Sequence, residues 1–436
     1  MVEHSLVEYD GLFKKIIAVE DYLNKLFIER EALISMLLLT VFSGQNMFIL
    51  GKPGVAKSEI VYQTSLLFKD VKIFRYLLTK YTTPEEIFGS ISLEELKKDR
   101  FYRKITNKLA DVEIGFLDEI FKGNSSILNS LLMIANEKIY INDTEVVEAP
   151  LISLFGASNE IPDEEEMEEL QALYDRFTIK YIAEPIKEYK NFTIFMLQDN
   201  RTMNMDGRML IDKHEISTVR EAAARITLDQ NILNIIYKVR EYCNENNYYV
   251  SDRKFKNMLG ILKVGALING RAEIITEDLF ILPYMIWEKP EEFPVIKEDL
   301  ESMIIEHIFD NIISSISIKV SPSFLTLLDD LITAAGNCYS EYVKCYSYLK
   351  QKQQDDLVKQ DRLIREYLYK VTKIIERLNL EIQSYHLPCN LRFYRLVERK
   401  ILFDLNKKKA EFTNYQTSLT DLKEKIKAAL PEEEQA

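Results

Sequence analysis

The chain is poor in the residues that make turns. Glycine occurs 13 times and proline 11 times in 436 residues, roughly half of their usual shares of about 7% and 5%. This shortage argues against a loop-rich all-β protein, and the apolar share of 47% excludes a disordered chain. Seven of the glycines lie between Gly44 and Gly156, whereas residues 271–436 contain only Gly336. The composition therefore predicts long helices, above all in the C-terminal part.

Cysteine and histidine are equally scarce. The four cysteines and four histidines are scattered without the spacing of metal ligands. Cys338 and Cys345 stand seven residues apart in an apolar helical pattern, which indicates buried thiols rather than a disulfide. We therefore expect a protein of a reducing compartment.

Long apolar runs and an excess of basic charge are both missing. The longest apolar stretch, Leu33–Phe42, is about half as long as a bilayer span. The acidic start, Met1–Asp10, lacks the basic and then apolar order of a secretory signal. These features predict a cytoplasmic protein with no transmembrane segment. The net charge of -13 argues against nucleic acid as a partner and leaves only a local basic groove as a possible contact.

Short β-rich runs alternate with helical patterns over the first 180 residues, as in a parallel α/β sheet. The predicted strands are Met47–Leu50, Val71–Leu77, Val112–Leu117, Leu151–Ala157 and Thr178–Ile182, and the predicted hairpins are Arg100–Leu109 and Lys138–Glu148. Helical patterns alone follow from Pro185, and Pro290 and Pro294 mark a boundary. We therefore predict an α/β domain over residues 1–184, a helical domain over 185–289 and a C-terminal helical domain over 290–436.

The C-terminal domain contains apolar residues at alternating steps of four and three, the spacing of a coiled coil or a helical bundle. These heptad residues are Phe324, Leu328, Leu331, Ala335, Cys338, Tyr342, Cys345, Leu349, Ile364, Tyr367, Val371, Ile374, Leu378, Phe412, Tyr415, Leu419, Leu422 and Ile426. Pro388 interrupts the helical pattern and predicts the turn of an antiparallel helical hairpin. The pattern does not distinguish an extended arm from a packed bundle.

The strongest chemical signal is the run Phe48–Ser58, FILGKPGVAKS. A strand ends, a turn containing Gly51 and Gly54 follows, and a helix begins near Lys57. Such a loop presents backbone N–H groups and a helix N-terminus to phosphate oxygens. Lys57 is expected to bind the β- and γ-phosphates, and the Ser58 hydroxyl is expected to bind Mg²⁺. The other residues that we expect around the phosphates are Pro53, Val55 and Ala56, the last of which replaces a consensus glycine.

Two carboxylates, Asp118 and Glu119, follow the apolar strand predicted over Val112–Leu117. The carboxyl edge of a parallel sheet is where ligands bind in open α/β folds. Asp118 is therefore predicted to hold Mg²⁺, and Glu119 to act as the general base that polarises the attacking water. Carboxylates at strand ends are common for structural reasons alone, so the prediction of nucleotide hydrolysis depends on their pairing with the loop.

Three polar residues complete the candidate catalytic set. Asn159 follows the predicted strand Leu151–Ala157, where its amide can orient water, although a turn residue is the alternative. Arg176 follows an acidic helix, Asp163 to Leu170, and is predicted to reach the γ-phosphate of a neighbouring subunit as an arginine finger. A surface pair with the preceding aspartate is the alternative. Arg253, at the start of a helix capped by Ser251 or Asp252, is predicted to swing onto the nucleotide from the second domain, or else to be merely exposed.

Further runs stand between these motifs, namely Thr82–Gly89 (TTPEEIFG), Ile127–Leu132 (ILNSLL) and Ala172–Arg176 (ALYDR). In this order the motifs resemble the MoxR family of AAA+ ATPases, in particular its RavA-like branch, over about residues 20–287. In that family the loop has the form GxPGxAKS, which accounts for Ala56. The resemblance implies an AAA+ αβα module with a parallel sheet, then an all-α lid and the C-terminal helical region.

The resemblance also implies roles for individual residues. Lys57 and Ser58 match the Walker A pair, Asp118 and Glu119 match Walker B, and Asn159 matches sensor 1. Arg176 matches the trans-acting arginine finger, Arg253 matches sensor 2, and Glu29-Arg30 resembles a motif near the nucleotide base. The two predicted hairpins would be the insertions that are typical of this AAA+ clade. The family implies ATP and Mg²⁺ as cofactors, a ring that is typically hexameric, and chaperone-like remodelling beside a partner with a von Willebrand factor A domain. Near Pro290 the resemblance fades. RavA-like proteins can follow the AAA+ module with a helical domain that carries a β-rich insert, whereas this sequence shows helical heptads and no β-rich block.

Four functions remain open from the sequence. The leading one is an ATP-hydrolysing ring that remodels a protein partner, which we expect to be a von Willebrand factor A protein with a divalent-metal site. The others are a chelatase-type motor subunit, a nucleotide-gated structural scaffold and a nucleic-acid motor. The apparent hydrolytic residues argue against the scaffold, and the acidic charge argues against the nucleic-acid motor.

Overall fold

A five-stranded parallel sheet organises the first part of the chain. The computed structural model describes residues 9–162, 170–197, 207–316, 320, 322–344 and 350–430. Its strands are β1 (Met47–Leu50), β2 (Phe68–Lys69), β3 (Ile73–Leu77), β4 (Ile114–Asp118), β5 (Ile139–Asn142), β6 (Glu145–Glu148), β7 (Ser153–Ser158), β8 (Ile179–Ile182) and β9 (Ile211–Asp212). The central sheet has the order β3-β4-β7-β1-β8, and each neighbouring pair is parallel. This confirms the predicted α/β class.

Helices cover this sheet and continue to the end of the described chain. They are α1 (Asp10–Leu26), α2 (Glu31–Ser43), α3 (Lys57–Ser65), α4 (Pro84–Phe88), α5 (Leu93–Leu96), α6 (Ser125–Glu137), α7 (Tyr189–Leu197), α8 (Lys213–Ala223), α9 (Gln230–Glu245), α10 (Asp252–Ile268), α11 (Pro283–Ile286), α12 (Glu292–Ser314), α13 (Pro322–Lys344), α14 (Lys350–Ser384) and α15 (Arg392–Ala429). None of the described helices is long and apolar enough to cross a membrane.

The longest apolar stretch of the sequence forms a core helix. All residues from Leu33 to Phe42 within α2 are buried, and a helix that is apolar on every side is typical of a protein interior. The helix ends at Gly44, whose φ of 68° is the left-handed conformation that glycine adopts without strain. Immediately after this turn the chain enters β1, so the core helix fixes where the phosphate loop begins.

Of the two predicted hairpins, one is confirmed and one is wrong. Lys138–Glu148 forms the antiparallel pair β5 and β6. Arg100–Leu109 does not pair with itself, because its residues bond to other segments. Backbone hydrogen bonds join Ser92 to Tyr102 and Lys104 to Ser90, and the Asn142 side chain bonds the backbone of Arg103 in both directions. The segment is therefore a strap against the chain upstream and against the β5–β6 hairpin.

The chain divides into two compact units, residues 1–300 with 388–395, and residues 301–387 with 396–436. In the second unit the described heptad positions of three helices are largely buried. Phe309 of α12 stacks on Phe412 of α15, and Phe324 of α13 packs on Tyr367 of α14. These contacts join the helices in two pairs, and a side-chain hydrogen bond of 3.0 Å from α15 to α14 links the pairs in a bundle. The packed alternative therefore applies. Cys345 and Leu349 lie outside the described residues, and the domain boundaries at 184/185 and 289/290 remain predictions.

Pro388 stands in the predicted turn, between the end of α14 and the start of α15. The sequence pattern gave no sign that this turn, residues 388–395, belongs to the first unit. Leu391 and Tyr394 are fully buried there. The Asn390 side chain donates to the carbonyl of Ile268 at the end of α10, and the Arg392 guanidinium donates to Asp21 of α1 at 2.8 Å. The turn therefore bridges a helix of the second predicted domain and a helix of the first.

A buried carboxyl group holds this turn. Glu20 of α1 is 1% exposed. Its oxygens accept hydrogen bonds from the Ser35 hydroxyl and from the backbone N–H of Arg392, the latter at 2.9 and 3.1 Å. Burial raises the pKa of Glu20 to about 7, although these hydrogen bonds oppose the shift. The protonated carboxyl group is therefore the form that the folded chain favours at mildly acidic pH.

We expect Glu20→Gln to remove a pH dependence of stability. Because the folded pKa is about 7 and the ordinary value is 4.5, the folded state binds the extra proton between these pH values. The unfolding free energy should fall by about 3 kcal/mol as pH rises through this window. Thermal unfolding midpoints between pH 5 and 8 measure this slope. Glu94→Gln, at an exposed position, is the control, and equal slopes in the wild type and Glu20→Gln would contradict the expectation.

Candidate functional site

The loop between β1 and α3 has the geometry of an anion site. Gly54 and Ala56 both adopt left-handed conformations, with φ of 86° and 64°. Such a conformation strains an alanine but not a glycine. A side chain at Gly51 would lie 2.5 Å from the carbonyl oxygen of Ala183, so only glycine fits there. The loop is thereby folded tightly enough to begin α3 at Lys57, with its N-terminal N–H groups beside the loop.

Lys57 and Ser58 lie beside the predicted carboxylates. The Lys57 ammonium donates to the carbonyls of Gly51 and Lys52 and to the Asn159 side chain, the last at 2.7 Å. Burial lowers the pKa of Lys57, and the charges of Asp118 and Glu119 oppose this effect. The Ser58 hydroxyl donates to Asp118 at 2.6 Å. Serine and aspartate oxygens this close together are the kind of ligands that Mg²⁺ prefers, so the residues fit the predicted metal.

Glu119 is fixed at the end of β4. It is 7% exposed and has a φ of 52°. The Asn159 amide donates to its carboxylate, and the Lys122 ammonium lies 3.2 Å from its other oxygen. Asn159 therefore contacts both Lys57 and Glu119, which places it between the phosphate loop and the candidate base. The carboxyl ends of β1, β4 and β7 bring these side chains together, as predicted for an open α/β sheet.

A cavity of about 340 Å³ lies over these residues and has two lining residues that the sequence reasoning missed, Glu59 and Arg75. Its other walls are the loop with Lys57 and Ser58, and Asp118, Glu119 and Asn159. Arg75 stands on β3, and its guanidinium lies 5.4 Å from the centre of the Tyr62 ring. A charged residue within the apolar run Ile73–Leu77 was the only sequence signal for it.

A second cavity of about 280 Å³ adjoins the loop and is mainly apolar. It shares the loop residues 53–56 with the first cavity, and its other walls include Phe27, Phe192 and Phe195. Arg30 lines it too, but its guanidinium donates to the carbonyls of Glu29 and Glu184. An aromatic, apolar space beside a phosphate loop suits a planar base.

Glu29 holds one wall of this cavity. Its carboxylate accepts hydrogen bonds from the backbone N–H groups of Lys187 and Glu188 and from the Asn191 side chain, at 2.8–2.9 Å. These groups lie at the start of α7, which carries Phe192 and Phe195. Burial raises the pKa of Glu29, but the hydrogen bonds from Lys187, Asn191 and Glu188 together outweigh this effect and lower the pKa. Glu29 is therefore linked to the apolar cavity through the helix that it anchors.

Arg176 and Arg253 line a third cavity, of about 100 Å³. Arg176 precedes β8, and its carbonyl oxygen accepts a hydrogen bond from Asn46, which precedes β1. It therefore stands at the amino edge of the sheet, whereas the phosphate loop stands at the carboxyl edge. Four residues of a strand separate these edges by about 13 Å. The acidic helix predicted before Arg176 falls on residues 163–169, outside the described ones.

The structure places Arg253 beside Arg176 and apart from the phosphate loop, and its swing onto the nucleotide from the second domain stays a prediction. Arg253 is exposed in the first turn of α10 and lines the cavity of Arg176, not that of Lys57. The helix is capped by Ser251, whose side chain accepts from the backbone N–H of Lys254. The alternative pair of Arg176 with Asp175 is present as well, at 3.2 Å. Lys138 and Lys254 add two further basic groups to this cavity. Burial lowers the pKa of Lys138 to about 8.

Two family models match the chain. The model described as "MoxR domain in the MoxR-vWA-beta-propeller ternary systems" matches residues 14–221. The model described as "AAA lid domain" matches residues 231–300. The two matches follow each other without overlap and contain all the candidate site residues.

Two relatives come from Methanocaldococcus jannaschii. The uncharacterized protein MJ0079 is 34% identical over 342 residues, which cover 78% of this chain and 87% of that protein. The uncharacterized protein MJ0812 is 37% identical over 276 residues, which cover 63% of this chain and 72% of that protein. A solved structure of a candidate ATPase from Cytophaga hutchinsonii has a TM-score of 0.54 at 19% identity and covers 70% of this chain and 98% of its own. That likeness is one of fold.

Proposed function

Because the chain belongs to the MoxR family of AAA+ ATPases, we propose that it hydrolyses ATP with Mg²⁺ in a ring of its own copies and so remodels a protein partner. The observation that carries hydrolysis is the cluster of Lys57, Ser58, Asp118, Glu119 and Asn159 at one edge of the sheet. A site that bound phosphate without a catalytic base would need only Lys57 and Ser58.

Each residue of this cluster has a role in the proposed reaction. Lys57 and the loop N–H groups bind the phosphates, and Ser58 and Asp118 would hold Mg²⁺. When bound, the metal ion would neutralise charge on the β- and γ-phosphate oxygens. Glu119 takes a proton from the attacking water, which the Asn159 amide orients. The Asn159 contact with Lys57 holds this amide beside the phosphate loop.

The position of Arg176 supports a ring. Arg176 lies at the amino edge of the sheet, about 13 Å from the phosphate loop by strand length. We propose that from there it contacts the γ-phosphate of a nucleotide that a second copy binds. We propose that Arg176 acts in this way as the arginine finger and that Arg253, in the same cavity, contacts the same nucleotide. Arg253, the residue that matches sensor 2, would then act on the nucleotide site of the neighbouring copy. We expect the ring to be a hexamer, as in the family.

The apolar cavity beside the loop is proposed to bind adenine. We expect Phe195→Ala to raise KM for ATP by about tenfold, because one stacking contact with a base contributes about 1–3 kcal/mol. The change in kcat should be small, since Phe195 does not line the cavity of Glu119. Steady-state phosphate release measures both constants. Met196→Ala, on the same helix and 65% exposed, is the control, and an unchanged KM in Phe195→Ala would contradict base stacking.

The proposed partner carries a von Willebrand factor A domain. The matching family model is described by its association with such domains and with β-propellers. The RavA-like branch is part of the same proposal, although the described residues of 301–430 are helical and contain no β-rich insert. The experiment is phosphate release from Mg-ATP, followed by capture of partners on Glu119→Gln loaded with ATP. No release by the wild type would contradict hydrolysis, and loaded chains that bind no von Willebrand factor A protein would contradict the partner.

A further inference from the structure

Two cationic side chains in the third cavity have donor atoms that find no hydrogen-bond partner among the described residues. They are the Nζ atom of Lys254 and the Nε atom of Arg176, both buried. Lys254 is 2% exposed, although lysine is almost never this buried without a partner. An ammonium at such a depth is costly unless a charge nearby compensates for it. The buried Lys254 ammonium therefore requires a carboxylate close to it.

Asp175 is the carboxylate that lies between these two cations. One of its oxygens is 3.8 Å from the Lys254 ammonium, and the other is 3.2 Å from NH1 of Arg176. The Arg176 backbone is fixed independently, since its carbonyl accepts from Asn46 and its N–H donates to Leu173. The direction of the guanidinium, in contrast, depends on Asp175. Lys254 thus contacts the carboxylate that orients the Arg176 guanidinium.

The surroundings of Lys254 hold its ammonium in place. Its backbone N–H is bonded by the Ser251 cap at the start of α10. Lys180, which is fully buried, donates to the carbonyl of Trp287 and lies over the Tyr174 ring at 3.7 Å. Burial lowers the pKa of Lys254, whereas the charges of Asp175 and Glu288 raise it. Burial and the charge of Lys254 also lower the pKa of Lys180 well below its usual value. Lys254 is the lysine whose ammonium lies within 4 Å of Asp175.

We infer that Lys254 is a positioning residue for the arginine finger: it fixes the Asp175 carboxylate, which in turn holds Arg176 toward the γ-phosphate on a second copy. This inference rests on the proposed ATPase function. The inference also couples α10 to the arginine finger, because Lys254 belongs to that helix while Asp175 and Arg176 precede β8. A movement of α10 would then change the direction of the Arg176 guanidinium.

The first test is Lys254→Met, which keeps the length of the side chain and removes the charge. We expect kcat for ATP to fall by about 10- to 100-fold, since a misplacement of about 1 Å has effects of this size. KM for ATP should stay within twofold, because Lys254 does not line either cavity beside the loop. Lys256→Met is the control, at an exposed position on the same helix. A wild-type kcat in Lys254→Met would overturn the inference.

Two further measurements separate positioning from a structural role. In an Arg176→Ala background, Lys254→Met should cause no additional loss, because a residue that acts only through Arg176 has nothing left to aim. An additive loss would overturn the inference. Lys254→Met chains mixed with Glu119→Gln chains should recover turnover, since the Glu119→Gln chains supply an intact finger. Chains that carry both changes should not restore it, and a mixture without recovery would also overturn the inference.

A second variant covers the case in which Lys254→Met does not fold. Asp175→Asn cuts the same link in its middle and should show the same loss of kcat at unchanged KM. A folded Asp175→Asn with wild-type kcat would overturn the inference. Failure of the proposed function gives a different result, namely that wild-type chains release no phosphate or that Arg176→Ala is fully active.

Discussion

Glu119→Gln should lower kcat for ATP hydrolysis by about 10²- to 10⁴-fold and leave ATP binding intact. The size of the effect follows from the loss of a general base, which contributes about this factor to enzymatic rates. Binding should persist because glutamine has nearly the same shape and Lys57, Ser58 and Asp118 are unchanged. The Asn159 contact, which joins the two halves of the site, can also form with a glutamine carbonyl oxygen.

Single-turnover and steady-state phosphate release measure this loss, and a fluorescent ATP analogue measures binding. Glu148→Gln, at an exposed position on β6, is the control for the change of charge. A Glu119→Gln chain with normal turnover would show that Glu119 is not the base. A wild-type chain that binds ATP and assembles without turnover would favour the scaffold over the motor.

The second large effect is expected for Arg176→Ala, with a fall of about 10³-fold in kcat, at the lower end of the range known for arginine fingers. KM for ATP should change little, because Arg176 stands at the edge of the sheet opposite the phosphate loop of its own chain. In a mixture, Glu119→Gln chains should restore turnover to Arg176→Ala chains. The Glu119→Gln chain lacks a base but carries a finger, and the Arg176→Ala chain lacks a finger but carries a base.

Phosphate release from mixtures in different ratios is the measurement. Arg225→Ala, which removes an exposed arginine outside the three cavities, is the control. If mixing restores nothing while each variant still assembles, Arg176 acts within its own chain and the proposed arrangement of the ring is wrong. A full kcat in Arg176→Ala alone would remove Arg176 from the catalytic set.

Local patterns were enough to predict the framework of the site. The strand β1 lies at the predicted residues, and β4 and β7 begin two residues later than predicted. The reason is that a buried parallel strand is a short continuous apolar run, and the polar residues that follow it must lie at the sheet edge. Ser58 and Asp118 therefore meet although 60 residues separate them. The turn at Pro388 was equally local, since proline interrupts a helix.

Contacts between distant segments could not be predicted in this way. The strap at residues 100–104 bonds to residues 90–92 and to Asn142 rather than to itself, because backbone groups have no sequence code for their partners. Arg75 faces the phosphate cavity through the pairing of β3 with β4. The turn at residues 388–395 likewise bonds to Glu20 of α1 and Ser35 of α2, which lie more than 350 residues away in the chain.

The scarcity and distribution of glycine by themselves predicted an α/β module followed by long helices, and the motifs predicted the residues of a phosphate and metal site. Only the tertiary structure decided that Arg176 and Arg253 share a cavity away from their own phosphate loop and that Lys254 is buried behind them. The physical reason is that periodicity and loop chemistry act within a few residues. The side of a sheet on which two remote side chains meet is fixed by strand order and packing.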